Sequence, residues 1–167
     1  VDADEQLVHL AAGNGSSAIM QFLIDSNARV DVEDEVGELP LHLAAKNGHA
    51  AAAKVLVDAN ARIDVEDEVG RLPLHLAASG GHAAAVKVLV DAKARVDVPD
   101  RLRMTPLHIA AFNRCNAVVK VLLDAKATVD ITDRYNWTPF HKAVYNGDSA
   151  TVRALLDAKA DVSLRTI

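Results

Sequence analysis

The sequence is poor in cysteine and in aromatic residues. Its 167 residues include one cysteine, Cys115, and only 4% of them are Phe, Trp or Tyr. A single cysteine excludes an internal disulfide and favours a reducing, intracellular compartment, either the cytoplasm or the nucleus. Half of the chain is nevertheless apolar, so smaller aliphatic side chains can fill a sizeable core.

Long apolar runs and an excess of basic charge are also missing. No segment approaches the length of a membrane span and the N-terminus lacks a signal peptide, so we expect no membrane association. There are 18 Lys and Arg against 23 Asp and Glu, and the formal net charge of −5 argues against nucleic acid as a partner.

One histidine recurs every 33 residues, inside a motif that recurs with it. The motif reads Leu-Pro-Leu-His-Leu-Ala-Ala at 39–45 and 72–78, Thr-Pro-Leu-His-Ile-Ala-Ala at 105–111 and Thr-Pro-Phe-His-Lys-Ala-Val at 138–144. The histidines are His9, His42, His75, His108 and His141. A period of this size indicates a stack of units, because one unit cannot bury its apolar face without its neighbours.

A second set of motifs follows each histidine window. Asn-Gly-His at 47–49 and Gly-Gly-His at 80–82 precede segments such as Val-Lys-Val-Leu-Val-Asp-Ala at 86–92, and Ala-x-Val-Asp follows at 94–97. Together the windows resemble ankyrin repeats over essentially 1–165. The resemblance implies an all-α solenoid of stacked helix-turn-helix units with β-hairpin-like loops. It also implies protein recognition on a concave face and no catalytic activity.

We therefore interpret 1–167 as a single domain, cut or trimmed on repeat boundaries. Its units are 1–33, 34–66, 67–99, 100–132 and 133–165. The first and last are expected to be caps with polar outer faces, as a stack requires. The first unit lacks the motif proline, and Lys142 in the last replaces the Leu or Ile of earlier units, which we interpret as a sign that no unit follows.

Local residues predict where the helices begin and end. The motif prolines suit the first turn of a helix, which Thr105 and Thr138 can cap, whereas Leu39 and Leu72 cannot. This first helix is predicted to have about nine residues and to end near a glycine. The second helix ends at Asn or Lys where the family has glycine. Asn adopts a left-handed backbone readily, whereas Lys would lose about 1 kcal/mol relative to glycine if that backbone were kept, so the turn geometry at these positions stays open. These positions are Asn27, Asn60, Lys93, Lys126 and Lys159.

We call the set of equivalent positions in the five units a column. Columns whose residue varies from unit to unit indicate where function could reside. Units two and three differ at seven of 33 positions, and along the stack small and acidic residues give way to aromatic and basic ones. Because Trp, Tyr and Arg dominate interface energetics, we hypothesise a protein or peptide site on units three to five. The expected partner is acidic or mixed, with an apolar anchor. Candidate residues are Arg71, Arg101, Leu102, Met104, Phe112, Arg134, Tyr135, Trp137 and Tyr145.

Two interpretations of these columns compete with a binding site. The aromatics could merely cover the last hairpin, or Phe112, Tyr135, Trp137 and Tyr145 could form a cage for a methylated lysine or another cation. A cage normally has a carboxylate nearby, whereas the local charges are arginines. Phe22 and Phe140 are the aromatics expected in core columns. The near identity of units two and three also fits an engineered, consensus-like scaffold without a natural partner.

An acidic strip on units two and three is a secondary candidate surface. Glu35, Glu38 and Glu68 could speed the encounter with a basic partner region, although such strips usually only face solvent. The histidines occur once per unit and so do not converge on a metal, and no base and acid accompany a nucleophile. We expect no metal, no cofactor, no enzymatic activity and a monomer.

Overall fold

The computed structural model describes residues 3–164, and in that range it contains five helix pairs and no strand. First helices pack against first helices of neighbouring pairs, and second helices against second helices. The all-α solenoid is therefore confirmed, while the outermost residues of the first and last predicted units, 1–2 and 165–167, lie outside the described residues. The helices are α1 (Ala3–Gly13), α2 (Ser17–Asp25), α3 (Pro40–Lys46), α4 (Ala50–Asp58), α5 (Pro73–Ser79), α6 (Ala83–Asp91), α7 (Pro106–Phe112), α8 (Asn116–Asp124), α9 (Pro139–Tyr145) and α10 (Ser149–Asp157).

The first helix of each proline-containing pair has seven residues, fewer than the sequence predicts. In α3 the reason is Gly48, whose φ of 75° turns the chain out of the helix. The N–H of His49 then donates to the carbonyl of Ala44 at 2.8 Å, which closes the last turn. Without a proline to fix its start, α1 extends over 11 residues.

The predicted caps are confirmed, and the histidine supplements them. The Oγ1 of Thr105 accepts the N–H of His108, and that of Thr138 accepts the N–H of His141. Leu39 offers no side-chain acceptor, but its own N–H donates to Nδ1 of His42 at 3.0 Å. One ring nitrogen of the histidine therefore fixes the start of each such helix.

The other ring nitrogen joins neighbouring units. Nε2 of His75 donates to the carbonyl of Met104 at 3.2 Å, and Nε2 of His108 donates to that of Trp137 at 3.0 Å. These imidazoles are buried, and desolvation by burial lowers the pKa of His42, His75 and His108 despite opposing backbone hydrogen bonds. In units three and four the repeated histidine is thus a neutral structural link to the next unit.

The ends of the second helices keep the left-handed backbone that glycine would favour. The φ angles are 65° at Asn27, 61° at Asn60, 70° at Lys93, 66° at Lys126 and 69° at Lys159. The substitutions have therefore not changed the turn geometry, and the lysines carry a conformational cost there.

The first and last helix pairs expose apolar side chains, whereas polar outer faces were expected of caps. Phe22, expected in the core, is exposed on the first helix pair, and Val144 and Leu156 are exposed on the last. Phe140 does pack against the core. Phe22 is exposed because no described unit covers the side of the first pair on which its column lies.

Candidate functional site

The hairpin loops that carry the site are held by a repeated aspartate. In the fourth unit the N–H of Asp100 donates to the carbonyl of Met104 at 2.9 Å. Its Oδ1 accepts the N–H groups of Leu102 and Met104, both at 2.8 Å. Asp34, Asp67 and Asp133 form the same pair of bonds in their own hairpins. This role was not among the predictions from the sequence, although the aspartate that units two to five share was its signal.

Five of the nine candidate residues line one depression between units three and four. It has a volume of about 540 Å³, and buried Ile109 lies among its other lining residues. The candidate residues in its wall are Arg71, Arg101, Leu102, Met104 and Phe112.

The remaining four candidates line a neighbouring depression of about 650 Å³. Phe112 belongs to the walls of both depressions, so its ring joins them into one surface. The other candidate residues in this second wall are Arg134, Tyr135, Trp137 and Tyr145. The structure therefore brings all nine candidates together, and it adds Lys142 and Asn136 to them.

The aromatic side chains of this surface differ in exposure. Phe112 is 47% exposed, Tyr135 59% and Tyr145 69%. Trp137 is only half-buried, and its ring meets Tyr145 edge-on at 5.3 Å between centroids. Trp137 therefore supports its neighbours as well as facing solvent, whereas the other three rings are the available contact area.

Lys142 turns into the site rather than away from the stack. Its Nζ lies 2.6 Å from Oδ2 of Asp133, 5.0 Å from the centroid of the Trp137 ring and 5.8 Å from that of Phe112. The interpretation that this lysine makes an outer face polar is therefore wrong. Its long side chain folds back because a buried carboxylate and two aromatic rings attract the ammonium group.

The arginines of the site are not equivalent. Nη2 of Arg71 lies 2.8 Å from Oδ2 of Asp67, so this guanidinium is held by its own hairpin. Burial is the largest single influence on the Asp67 carboxyl and opposes its ionisation. The hydrogen bonds from Arg71 and Val69 together outweigh burial and lower the pKa of the carboxyl. Arg101 and Arg134 lie exposed at the hairpin tips, and Arg134 stacks 4.9 Å from the Tyr135 ring centroid.

This geometry argues against an aromatic cage for a cation. The protein's own Lys142 approaches the faces of Phe112 and Trp137, and Arg134 covers Tyr135. Among the described residues, no carboxylate lines the depression that Trp137 and Tyr145 form. A methylated lysine would therefore meet positive charge where a cage needs negative charge.

The acidic candidates separate into two environments. Glu35 and Glu68 are exposed near the hairpin tips. Glu38 is buried, and its Oε1 lies 3.2 Å from Nζ of Lys46. Glu38 thus contributes little negative charge to the surface, which the sequence could not show because the pairing depends on side-chain conformation.

Other chemical groups are dispersed over the fold. Within residues 3–164, no three His, Cys, Asp or Glu side chains gather closely enough to hold a metal ion. In the same part of the chain, no helix combines the length and apolar character needed to cross a membrane. Burial, together with nearby Asp148, raises the pKa of the Cys115 thiol, which disfavours its reactive thiolate.

Comparison with known families agrees with this architecture. The family profile described as Ankyrin repeats (3 copies) matches residues 8–100 and 93–166. No curated protein matches the sequence. Ankyrin repeats are generally protein-interaction modules without catalytic activity of their own. Since the two matched ranges span nearly all of the described helix pairs, the chain belongs to the ankyrin repeat family.

Proposed function

We propose that the chain is a non-catalytic module that binds a protein or peptide on its concave face, chiefly through units three to five. One observation carries this proposal: Phe112, Tyr135 and Tyr145 expose large ring areas on one surface. Clustered exposed apolar side chains rimmed by polar groups are characteristic of interaction sites.

The partner is a segment with carboxylates around an apolar anchor. The anchor would enter the depressions beside Phe112, where Leu102 and Met104 supply further apolar contact. Arg101 and Arg134 at the hairpin tips would pair with the flanking carboxylates, which adds directionality and speeds association.

The surrounding features fit this module. The aromatics do more than cover the last hairpin, because Phe112 and Tyr135 remain about half-exposed. The site lies within one chain, so a monomer is sufficient for binding. Exposed Glu35 and Glu68 form a secondary acidic surface for a basic partner region. The single protonated thiol of Cys115 suits the reducing cytoplasm or nucleus.

Selection from a displayed random peptide library tests the site directly. We expect selected peptides to combine Asp or Glu with an aromatic or aliphatic anchor. The double substitution Phe112→Ala, Tyr135→Ala should raise the dissociation constant of these peptides at least about tenfold, because it removes two residues expected to be hot spots of the interface. Phe22→Ala is the matched control, because it removes an exposed aromatic ring elsewhere. Circular dichroism and melting should be unchanged in both proteins.

Charge reversal separates the arginine contribution. Arg134→Glu should weaken binding of the same peptides and reduce its dependence on salt, whereas Arg153→Glu, which reverses an exposed charge on α10, should not. Peptides that bind every variant with equal affinity would contradict the proposed site.

A further inference from the structure

The arginines of the chain differ in whether a carboxylate neutralises them. Every arginine of units one to three forms an ion pair, namely Arg29 with Glu5, Arg62 with Asp31, Arg71 with Asp67 and Arg95 with Asp64. At the hairpin tips of units four and five, Arg101, Arg103 and Arg134 are exposed. Within residues 3–164, none of these three forms an ion pair with a carboxylate. Three positive charges beside the proposed peptide site therefore have no counter-charge.

The three arginines start from one place in the fold. The N–H of Arg134 donates to the carbonyl of Leu102 at 3.1 Å, and this hydrogen bond joins the tips of hairpins four and five. Leu102 lies between Arg101 and Arg103 in the sequence, so the backbones of all three arginines are close to the same hydrogen bond. We call Arg101, Arg103 and Arg134 the arginine cluster.

Arg103 has a backbone conformation that suits glycine. Its φ is 58°, and the same column holds Gly37 and Gly70, with φ of 71° and 79°, in units two and three. An arginine at this position carries a conformational cost, and it adds a further like charge to the tip. A bound anion would offset both costs, whereas nothing in the hairpin itself does.

The charge of the other hairpin tips restricts the size of that anion. In the column of Arg101 and Arg134, units two and three hold the exposed Glu35 and Glu68. A nucleic acid or a flat anionic membrane surface that extends along this edge would meet these carboxylates as well as the arginines, and would be repelled by them. The pattern therefore favours a small anion carried by one residue of a protein segment.

We propose that the partner carries a phosphorylated residue beside its apolar anchor and that the arginine cluster binds the phosphate. A carboxylate offers one charge and two oxygens, which one guanidinium occupies, whereas a phosphate monoester offers nearly two charges and three acceptor oxygens. Three arginines match the phosphate. Phosphorylation of the partner then controls its binding.

The position of the cluster sets the spacing between phosphate and anchor. Arg101 lines the depression between units three and four, and Arg134 lines the neighbouring depression that Phe112 shares. The phosphate therefore lies immediately beside the apolar anchor in the bound segment. This inference rests on the proposed function, because it names a group on the same partner.

Two peptide libraries provide the probes, one with a fixed phosphoserine and one with a fixed phosphotyrosine among random positions. The best binder from each is also made with the unphosphorylated residue and with aspartate. We expect a phosphorylated peptide to bind at least about tenfold more tightly than its unphosphorylated form, and more tightly than its aspartate form. Isothermal titration calorimetry measures the dissociation constants.

Arg103→Gly tests the cluster without damaging the fold, because glycine is the residue of units two and three. It should raise the dissociation constant of the phosphorylated peptide at least about tenfold and leave that of the unphosphorylated form almost unchanged. The same substitution should raise the melting temperature, because it relieves left-handed strain. A purely structural role for Arg103 would change both peptide forms alike.

Arg114→Gly is the matched control. Arg114 is also exposed, and its φ is 59°, so this substitution removes the same charge and the same kind of strain. It lies beyond the C-terminal end of α7, about 10 Å of helix away from the hairpin, where salt screens its charge. The affinity for the phosphorylated peptide should therefore change less than about twofold.

Three results would overturn the proposal. Equal binding of phosphorylated and unphosphorylated forms, both weakened by Phe112→Ala, Tyr135→Ala, would remove the phosphate and keep the peptide site. Failure of every form to bind would remove both. Phosphatidylcholine vesicles containing a phosphoinositide, or single-stranded DNA, could instead bind the intact chain and lose affinity in Arg103→Gly while phosphopeptides gain nothing. That result would assign the cluster to a membrane or a nucleic acid.

Discussion

Nζ of Lys142 lies 2.6 Å from Oδ2 of Asp133, and both side chains are buried. Oδ1 of the same carboxylate accepts the N–H groups of Tyr135 at 2.8 Å and Trp137 at 3.0 Å. Burial is the largest influence on Asp133 and opposes ionisation, but the bonds from Lys142 and the two N–H groups lower its pKa. One carboxylate thus links the last hairpin, the lysine and the aromatic surface.

Removing this lysine should destabilise the fold. Lys142→Met leaves the carboxylate of Asp133 buried without its ion pair, so we expect the free energy of unfolding to fall by about 3 kcal/mol. Lys87→Met is the matched control, since Lys87 pairs with Asp91 in solvent and should cost less than about 1 kcal/mol. Urea titration of both variants measures the difference, and equal losses would contradict a special role for the buried pair.

Asp100 should be needed for its acceptor oxygen rather than for its charge. Asp100→Ala removes the acceptor of two N–H groups, and we expect a loss of about 2 kcal/mol in the free energy of unfolding. Asp100→Asn keeps an Oδ1 acceptor and should recover most of that loss. Thermal melting of the two variants checks the prediction, which fails if asparagine is as harmful as alanine.

Acid should weaken the fold before the carboxylates titrate. Burial places the pKa of His42, His75 and His108 below the ordinary value of 6.5. At a pH between the native and the unfolded pKa of such a histidine, the unfolded chain binds more protons than the native protein. The stabilising contribution of the three histidines is therefore complete above pH 6.5 and is lost as pH falls through their native pKa values. Urea unfolding at about pH 7.5 and about pH 5 should show the lower stability at acid pH.

The histidine origin of this pH dependence can be tested at one position. His75→Gln keeps a donor and an acceptor but does not titrate, so the difference in unfolding free energy between the two pH values should shrink. Asp67 and Asp133, with pKa values lowered from 3.8, contribute only at more acidic pH. An unchanged pH dependence in the variant would assign the effect to other groups.

Glycine at a helix end should stabilise the protein. Lys126 has a φ of 66°, so Lys126→Gly removes left-handed strain and should raise the free energy of unfolding by about 1 kcal/mol. The control is Lys120→Gly within α8, which should lower it by about 1 kcal/mol because glycine disfavours a helix interior. Chemical denaturation distinguishes the two signs.

The sequence predicted the parts of the structure that follow from its period. Because each unit adopts one backbone, residues in one column occupy equivalent places, and Phe112, Tyr135 and Trp137 could be assigned to one surface from the sequence. The threonine caps followed from the chemistry of single residues, whereas the turn geometry at the helix ends did not, because Asn and Lys stand there in place of glycine.

Side-chain direction and the surroundings of the ends could not be derived in this way. A column assigns the position of Lys142, but its flexible chain finds Asp133, and Glu38 similarly pairs with Lys46. The exposure of Phe22 depends on whether anything covers the first helix pair, which its column cannot tell. The length of α1 differed because no proline fixes its start.

The side-chain contact between neighbouring units has a consequence for the evolution of such a chain. Units two, four and five each donate from an asparagine to the preceding unit, as Asn47 does to the carbonyl of Gly13, and in unit three Nε2 of His82 donates to the carbonyl of Lys46 instead. An inserted copy of a unit therefore finds matching contacts on both sides. A duplication therefore lengthens the stack without requiring compensating substitutions. The new hairpin is then free to diverge, as it has at Glu38 and Arg71 between two nearly identical units.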